Sequence, residues 1–194
     1  MQMDLAHDFN HVLRVVKTAK KLCEIEGAID QVVIPAAWLH DCFSFPKDHS
    51  KRKSSSVYAA DKAVKFLAEI NYPSQYFNQI HHAIVTHSFS ANVTPLTLEA
   101  MIVQDADRLD ALGAIGVTRC IQVSASLNRP LYHEQDPFCD TRQADDSKYT
   151  IDHFYKKLLL IEGSVHTDAA KAEAHKRTLF MQAFLGQLSS EVSE

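Results

Sequence analysis

The sequence predicts an all-α fold, on three observations. Apolar residues recur at spacings of three and four along most of the chain, no stretch alternates apolar and polar residues convincingly as a strand, and proline, glycine or serine-rich breaks separate the periodic runs. A chain of 194 residues can bury a sizeable core without a staple, so a single domain over residues 1–194 is expected, its core at about 5–127 and a C-terminal helical extension at about 151–190 packed on it. No internal repeat is visible.

The first helix runs from His7 to Ile25, where Phe9, Val12, Val15, Val16, Ala19, Leu22 and Cys23 form the apolar stripe and Gly27 is the stop. His7, His11 and Arg14 lie three or four residues apart on one side of it, and that side can face a cleft. A short second helix, from Asp30 or Pro35 to Cys42, is apolar nearly all round until His40 and is therefore central; Pro35 fits best in its first turn, where a missing N–H matters least. His40 and Asp41 are its exit to solvent. Residues 44–56 form a polar loop with Lys47, Lys51, Arg52 and Lys53 bunched together, and its serines offer an N-cap to a helix through about Ile70 that buries Val57, Ala60, Val64 and Leu67.

Asn71-Tyr72-Pro73 breaks that helix, and the next, Ser74 to about Thr86, carries His81 and His82. Thr94-Pro95 reads as an N-cap followed by proline at the first position of a helix from Leu96 to about Leu112, with Leu98, Met101, Ile102, Ala106 and Leu109 inward. Asp105, Asp107, Arg108 and Asp110 decorate it densely. Gly113 and Gly116 permit a turn or a close contact before a helix from Ile115 to about Leu127. Residues 128–150 show little periodicity and read as a long excursion, a lid being one use of such a loop. Two last helices are expected around Ile151 to Ile161 and Asp168 to Leu188.

The formal charge of −4, from 20 basic and 24 acidic residues, argues against a dedicated binder of long nucleic acid and leaves room for a small phosphorylated substrate, which needs only a local positive patch. Cys23, Cys42, Cys120 and Cys139 lack the paired spacings of a structural zinc site and read as reduced thiols. No apolar run is long enough to span a bilayer, and the amino terminus, with Asp4, His7 and Asp8, is unlike a signal peptide, so a cytoplasmic protein without a membrane partner is expected.

Eleven histidines are more than this length requires, and their placement has to carry any meaning. His11, His40, Asp41 and an aspartate of the 105–110 run are candidate metal ligands from three helices. Imidazole nitrogen with carboxylate oxygen suits Mn²⁺, Fe²⁺, Co²⁺, Ni²⁺ or Zn²⁺ better than an all-oxygen calcium site or a thiolate site. Adjacent helical residues point about 100° apart, so His40 and Asp41 can share an ion only if it lies beyond the helix end or in the wedge between them. Asp105 and Asp107 diverge by about 200° and cannot easily share one, while spacing barely separates Asp107 from Asp110.

A histidine, an adjacent His-Asp pair and a distant aspartate, here His11, His40, Asp41 and Asp107, resemble the HD superfamily of metal-dependent phosphohydrolases. Further stretches look like one bacterial subgroup, the YedJ/YpgQ-like proteins: His11-Val12-Leu13-Arg14-Val15, Trp38-Leu39-His40-Asp41, Pro46-Lys47-Asp48-His49, the run from Asp105 to Gly113, His153-Phe154-Tyr155-Lys156-Lys157-Leu158-Leu159, and a tail with Arg177 and Met181. The similarity covers nearly the whole chain. It implies an HD-domain helical bundle with a long loop before two C-terminal helices, one divalent ion held by His11, His40, Asp41 and Asp107, and hydrolysis of a phosphoester or phosphoanhydride, with a nucleotide or nucleoside triphosphate as substrate. Manganese heads the ions to consider, with Fe, Co, Ni, Mg and Zn open.

In that reading Arg14, Lys47 and Arg52 are the best phosphate contacts, a plain surface role being the alternative, and Asp41 can help orient water. Asp110, one turn from Asp107, is a candidate helper base. His82 and His87 are candidates for a second ion or for the substrate pocket, and a single ion with one of them lining the pocket is expected. Asp105 is expected to brace a neighbouring helix, His7 to lie at the surface, and His81 and His153 to be the least informative histidines. Two rivals are a phosphatase or phosphodiesterase for another small phosphoester, and a non-catalytic sensor module that binds metal or nucleotide; the complete ligand set weighs against the second.

Overall fold

The computed structural model describes residues 8–46, 49–88, 91 and 93–192, and among them it contains α-helices, short 3₁₀ turns and no strand. The helices are α1 (Phe9–Glu26), α2 (Asp30–Leu39), α3 (Ser55–Glu69), α4 (Phe77–His87), α5 (Leu98–Leu109), α6 (Gly113–Ser126), α7 (Asp152–Lys156) and α8 (Asp168–Val192). The all-α expectation, with a long loop before two C-terminal helices, holds. The described residues divide into two compact units: residues 8–107 together with 166–170, and residues 108–165 together with 171–192. No helix of the described residues is long and apolar enough to cross a membrane.

In the first unit α1 packs on α2, and α4 packs on both α2 and α3. The core is built from fully buried Val15 and Ala19 of α1, Val32, Val33, Ala36 and Ala37 of α2, Ala59 and Ala60 of α3, Ile80, Ala83 and Ile84 of α4, and Ile102 and Val103 of α5. Many of these are alanines, and small side chains let the helices approach closely. Asp8 starts α1 by accepting the His11 N–H at 2.8 Å, and Gly27 ends it at φ +69°, in the left-handed region that glycine enters without a Cβ penalty.

Three local expectations are corrected. Pro35 lies inside α2 rather than in its first turn. Its ring nitrogen cannot donate to the carbonyl four residues back, that of Gln31, and the Tyr72 hydroxyl donates there instead at 2.9 Å. The loop serines do not cap α3: a 3₁₀ turn, Arg52–Ser54, leads into the helix, and the Ser55 hydroxyl donates back to the Arg52 carbonyl at 2.7 Å. This rotates the buried stripe to Ala59, Ala60, Ala63 and Leu67 and leaves Val57 exposed. Finally, α5 begins at Leu98, because the Thr97 hydroxyl accepts the Ala100 N–H at 3.2 Å, while the Leu96 N–H is taken by His82 Nε2 at 3.0 Å.

The second unit opens with α6, whose entry needs two glycines. Gly113 has φ +69°, and a Cβ on Gly116 would sit 2.2 Å from the Ala111 carbonyl oxygen. The single helix expected over Ile151 to Ile161 is instead α7 followed by two 3₁₀ turns, Leu158–Leu160 and Glu162–Ser164; Lys157, at φ −140° and ψ −58°, interrupts the ladder. The excursion before α7 is closely knit. Arg142 donates to both carboxylate oxygens of fully buried Asp152, Nη2 to Oδ1 at 2.7 Å, and the Asp145 N–H donates to Asp152 at 2.6 Å. Asp136 accepts three consecutive backbone N–H groups, those of Asp140, Thr141 and Arg142, and its end is fastened where the Ile151 N–H meets the Leu131 carbonyl at 2.9 Å.

Candidate metal centre

Every side chain of the candidate cluster comes from the first unit. His11 projects from the first turn of α1 and is almost fully buried, at 1% exposure. Helix α2 ends at Leu39, so His40 is its C-terminal cap residue and Asp41 falls in the turn beyond, closed by the Cys42 N–H on the Leu39 carbonyl at 3.1 Å. Leaving the helix relieves the divergence that would keep two adjacent side chains apart. His87 is the last residue of α4, and Asp107 lies two residues before the end of α5.

These five side chains converge. His11 Nε2 is 3.3 Å from His40 Nε2, 3.4 Å from Asp107 Oδ1 and 3.7 Å from Asp41 Oδ2. His40 Nε2 is 3.4 Å from Asp41 Oδ2 and 4.0 Å from Asp107 Oδ1, and His87 Nε2 is 3.5 Å from the other oxygen of Asp41. Two overlapping donor groups result, His11 with His40 and Asp107, and His40 with Asp41 and His87.

Backbone carbonyls set the histidine tautomers. His40 Nδ1 lies 2.8 Å from the Ala37 carbonyl and His87 Nδ1 lies 2.6 Å from that of Ile84. A carbonyl can only accept, so each Nδ1 carries the proton and each neutral ring turns a bare Nε2 lone pair into the cluster. Burial presses the Asp41 carboxyl upward, but the facing His40 and His87 rings, which donate to it when protonated at Nε2, outweigh it and hold the group well below the usual carboxylate range. Asp107 follows the same pattern: burial acts upward, and His11 first, then His40 and His87, bring it far down. For His87 burial disfavours the charged ring, and Asp41, then Asp107, raise it above its ordinary value.

The donor set fits a single divalent cation. Two donors bound about 2.0–2.2 Å from one ion are at most about 4.4 Å apart, and each separation given above is shorter. Imidazole nitrogens facing one another at 3.3 Å across a pair of carboxylates also make a place that favours positive charge.

The other residues singled out in the sequence have these surroundings. Arg14 is half-buried on α1, one turn after His11. Arg52 donates through Nη1 to the Ser44 hydroxyl and the Phe45 carbonyl, and so shapes its own loop. His82 accepts from Leu96, exposed His81 pairs with Asp61 at 3.0 Å, and His153 lies 2.9 Å from Asp146. Asp110, in the second unit, accepts from Arg119 Nη1 at 2.6 Å. Asp105 braces a neighbouring segment as expected, accepting the His166 and Thr167 N–H groups at 2.9 and 2.8 Å. Lys47 and His7 lie outside the described residues.

Sequence reasoning missed Gln104. It is buried, donates to the Thr86 carbonyl and faces His166 Nε2 across 2.6 Å, so it ties the end of α4, where His87 sits, to α5. A glutamine interrupting the apolar Ile102-Val103 run was its one signal.

An all-helical protein with a histidine and aspartate centre sized for one divalent ion is the class that fold and cluster define. The HD domain family model matches residues 8–112, and the protein YpgQ of Bacillus subtilis is 32% identical over 96% of this chain and 84% of its own length. The chain belongs to the HD superfamily and is closely related to the YpgQ-like proteins; it is a metal-dependent phosphohydrolase. Among solved structures, an HD-superfamily hydrolase from Bacillus thuringiensis is similar with a TM-score of 0.74 at 32% identity, over 95% of this chain and 86% of that one. Bacillus subtilis YpgQ in complex with ADP is similar with a TM-score of 0.72 at 29% identity, over 95% and 86%.

Proposed function

We propose that this enzyme hydrolyses a phosphoanhydride bond of a nucleotide, a nucleoside triphosphate first among them, with its ion held by His11, His40, Asp41 and Asp107. The observation that carries the reading is the pair of donor groups that share His40, one of His11, His40 and Asp107 and one of His40, Asp41 and His87; the ADP bound by the YpgQ structure supports the nucleotide. A divalent ion in that place supplies Lewis acidity towards a phosphoryl oxygen and a water of lowered pKa.

The chain's own groups do the rest. The Ala37 carbonyl keeps the His40 ring in the tautomer and orientation that ligation needs. Asp41 turns one oxygen towards His11 and His40 and the other towards His87, so His87 fixes the plane of that carboxylate. Because both carboxylates stay ionised, the centre holds enough negative charge to retain a cation beside an anionic substrate. Arg14 stands on the His11 side of α1, suited to a phosphate oxygen and to the charge that develops on it during transfer; Lys47 is assigned the same task from the loop. His82, tied to Leu96, and Arg52, tied to its loop, contour the substrate side, and Asp110 is left to its ion pair with Arg119.

The test is a panel of nucleoside triphosphates and diphosphates, a simple phosphomonoester and a phosphodiester, each with manganese and then the other ions, with phosphate, pyrophosphate and nucleoside monophosphate resolved as products. Turnover of the nucleotides at the anhydride is expected. Turnover confined to the monoester or the diester would replace this reading with a phosphatase or phosphodiesterase, and specific binding with no product under any ion would replace it with a sensor.

A further inference from the structure

The segment after Asp41 holds an aromatic cluster that hydrolysis does not call on. Phe45 is its centre: its ring meets Phe43 edge-on at 4.9 Å and Tyr58 edge-on at 5.0 Å, and it lies parallel to His49, 4.4 Å away with 10° between the planes. Phe43 and Phe45 are half-buried, whereas His49 and Tyr58 are exposed. A small apolar cluster that merely shaped the loop would be complete with the phenylalanines and the tyrosine. The imidazole on its outside presents a further flat face to solvent.

His49 is held from two directions. Its ring rests on Phe45, and the Lys51 backbone N–H donates to its Nδ1 at 3.0 Å. Since Nδ1 accepts, the neutral ring carries its proton on Nε2, and no side chain among the described residues takes up that Nε2. The result is a fixed flat ring at the surface with one donor on its edge. Lys51 and Lys53, both exposed, add positive charge in the same segment.

The aromatic cluster behind this ring begins directly after the ligand turn along the chain. Phe43 is two residues beyond Asp41, so their Cα atoms are within about 7.6 Å of each other. Cys42, between them, donates through Sγ to the Ala59 carbonyl at 3.3 Å, next to Tyr58, which fastens the ligand turn and the aromatic cluster to one point of α3.

We propose that His49, backed by Phe45, is the platform on which the base of a bound nucleotide stacks while its phosphates lie at the metal centre. The inference rests on the nucleotide reading above and adds the part of the substrate that is recognised. Stacking accepts any base, because every base has a π-face, and the Nε2–H donor favours a base with an acceptor on the edge that reaches it.

The experiment is calorimetric titration of the metal-loaded protein with ADP and, separately, with inorganic pyrophosphate, which has no base. The wild-type protein is expected to bind ADP the more tightly. His49→Ala, an exposed substitution, is expected to weaken ADP on the order of tenfold and pyrophosphate by less than about twofold, while His49→Phe, which keeps the face and loses the donor, recovers most of the ADP affinity. Unchanged metal content and circular dichroism establish that the variants are folded. Equal losses for both probes, no loss for ADP, or wild-type binding of pyrophosphate as tight as that of ADP would each overturn the platform and leave phosphoanhydride hydrolysis standing. Wild-type protein that bound neither probe would fail before any variant was made, and would bring down the nucleotide reading together with the platform.

Discussion

Asp41 and Asp152 are both aspartates whose carboxyls are held below their ordinary pKa against the pull of burial, yet their partners are of different kinds. Asp152 faces the Arg142 guanidinium, charged at any accessible pH, and also accepts the Asp145 N–H. Asp41 faces His40 and His87, whose Nδ1 protons are already given to backbone carbonyls and which in their neutral form offer it lone pairs. The chain satisfies Asp152 completely. It satisfies Asp41 and Asp107 only when a proton or a cation joins them. A buried acid is therefore poor as a sign of a metal site by itself; what distinguishes one is a partner whose charge is conditional.

The comparison is broken most severely at the metal centre. His40→Ala removes a nitrogen common to both donor groups, and turnover is expected to fall by more than the roughly 10–100-fold that losing a partner outside the ligand set costs, with bound metal lost in elemental analysis. Retention of stoichiometric metal and full turnover would remove the contrast. Asp152→Ala comes next: it strands Arg142, whose side chain keeps 20% exposure, and is expected to cost about 3 kcal/mol in urea unfolding, the low end for breaking a buried pair, with metal content unchanged. The smallest effect is in acid. The folded-state pKa of Asp152 is below its unfolded value, so its contribution is whole above about pH 4 and is lost as pH falls through the folded-state value. Asp152→Asn should flatten that part of the acid limb of a stability profile, and an unaltered limb would count against it.

Much of this was legible from periodicity. The α1 stripe from Val15 to Cys23, the burial of α2 and the position of the His-Asp pair at a helix end follow from apolar spacing and punctuation, whereas Phe9, expected in that stripe, is exposed at the start of the helix. Choosing Asp107 over Asp110 does not, because spacing along one helix cannot reveal that Arg119, nine residues further on, meets Asp110 while His11 meets Asp107. His87 escaped a firm placement for a similar reason: the end of α4 is legible to within a residue, but nothing local shows that its last ring faces Asp41. Pro35 was expected where its missing N–H is harmless, and its interior position is legible only once Tyr72, distant in sequence, is seen to supply the donor. Tertiary partners of single polar atoms leave no periodic trace.

Asp105 adds one more consequence. Two residues before Asp107, it clamps His166 and Thr167, so the chain departs from the unit that carries the candidate centre and rejoins it at neighbouring points. Asp105 therefore fixes the spacing between the last turns of α5 and the start of α8, whatever length of chain runs between them.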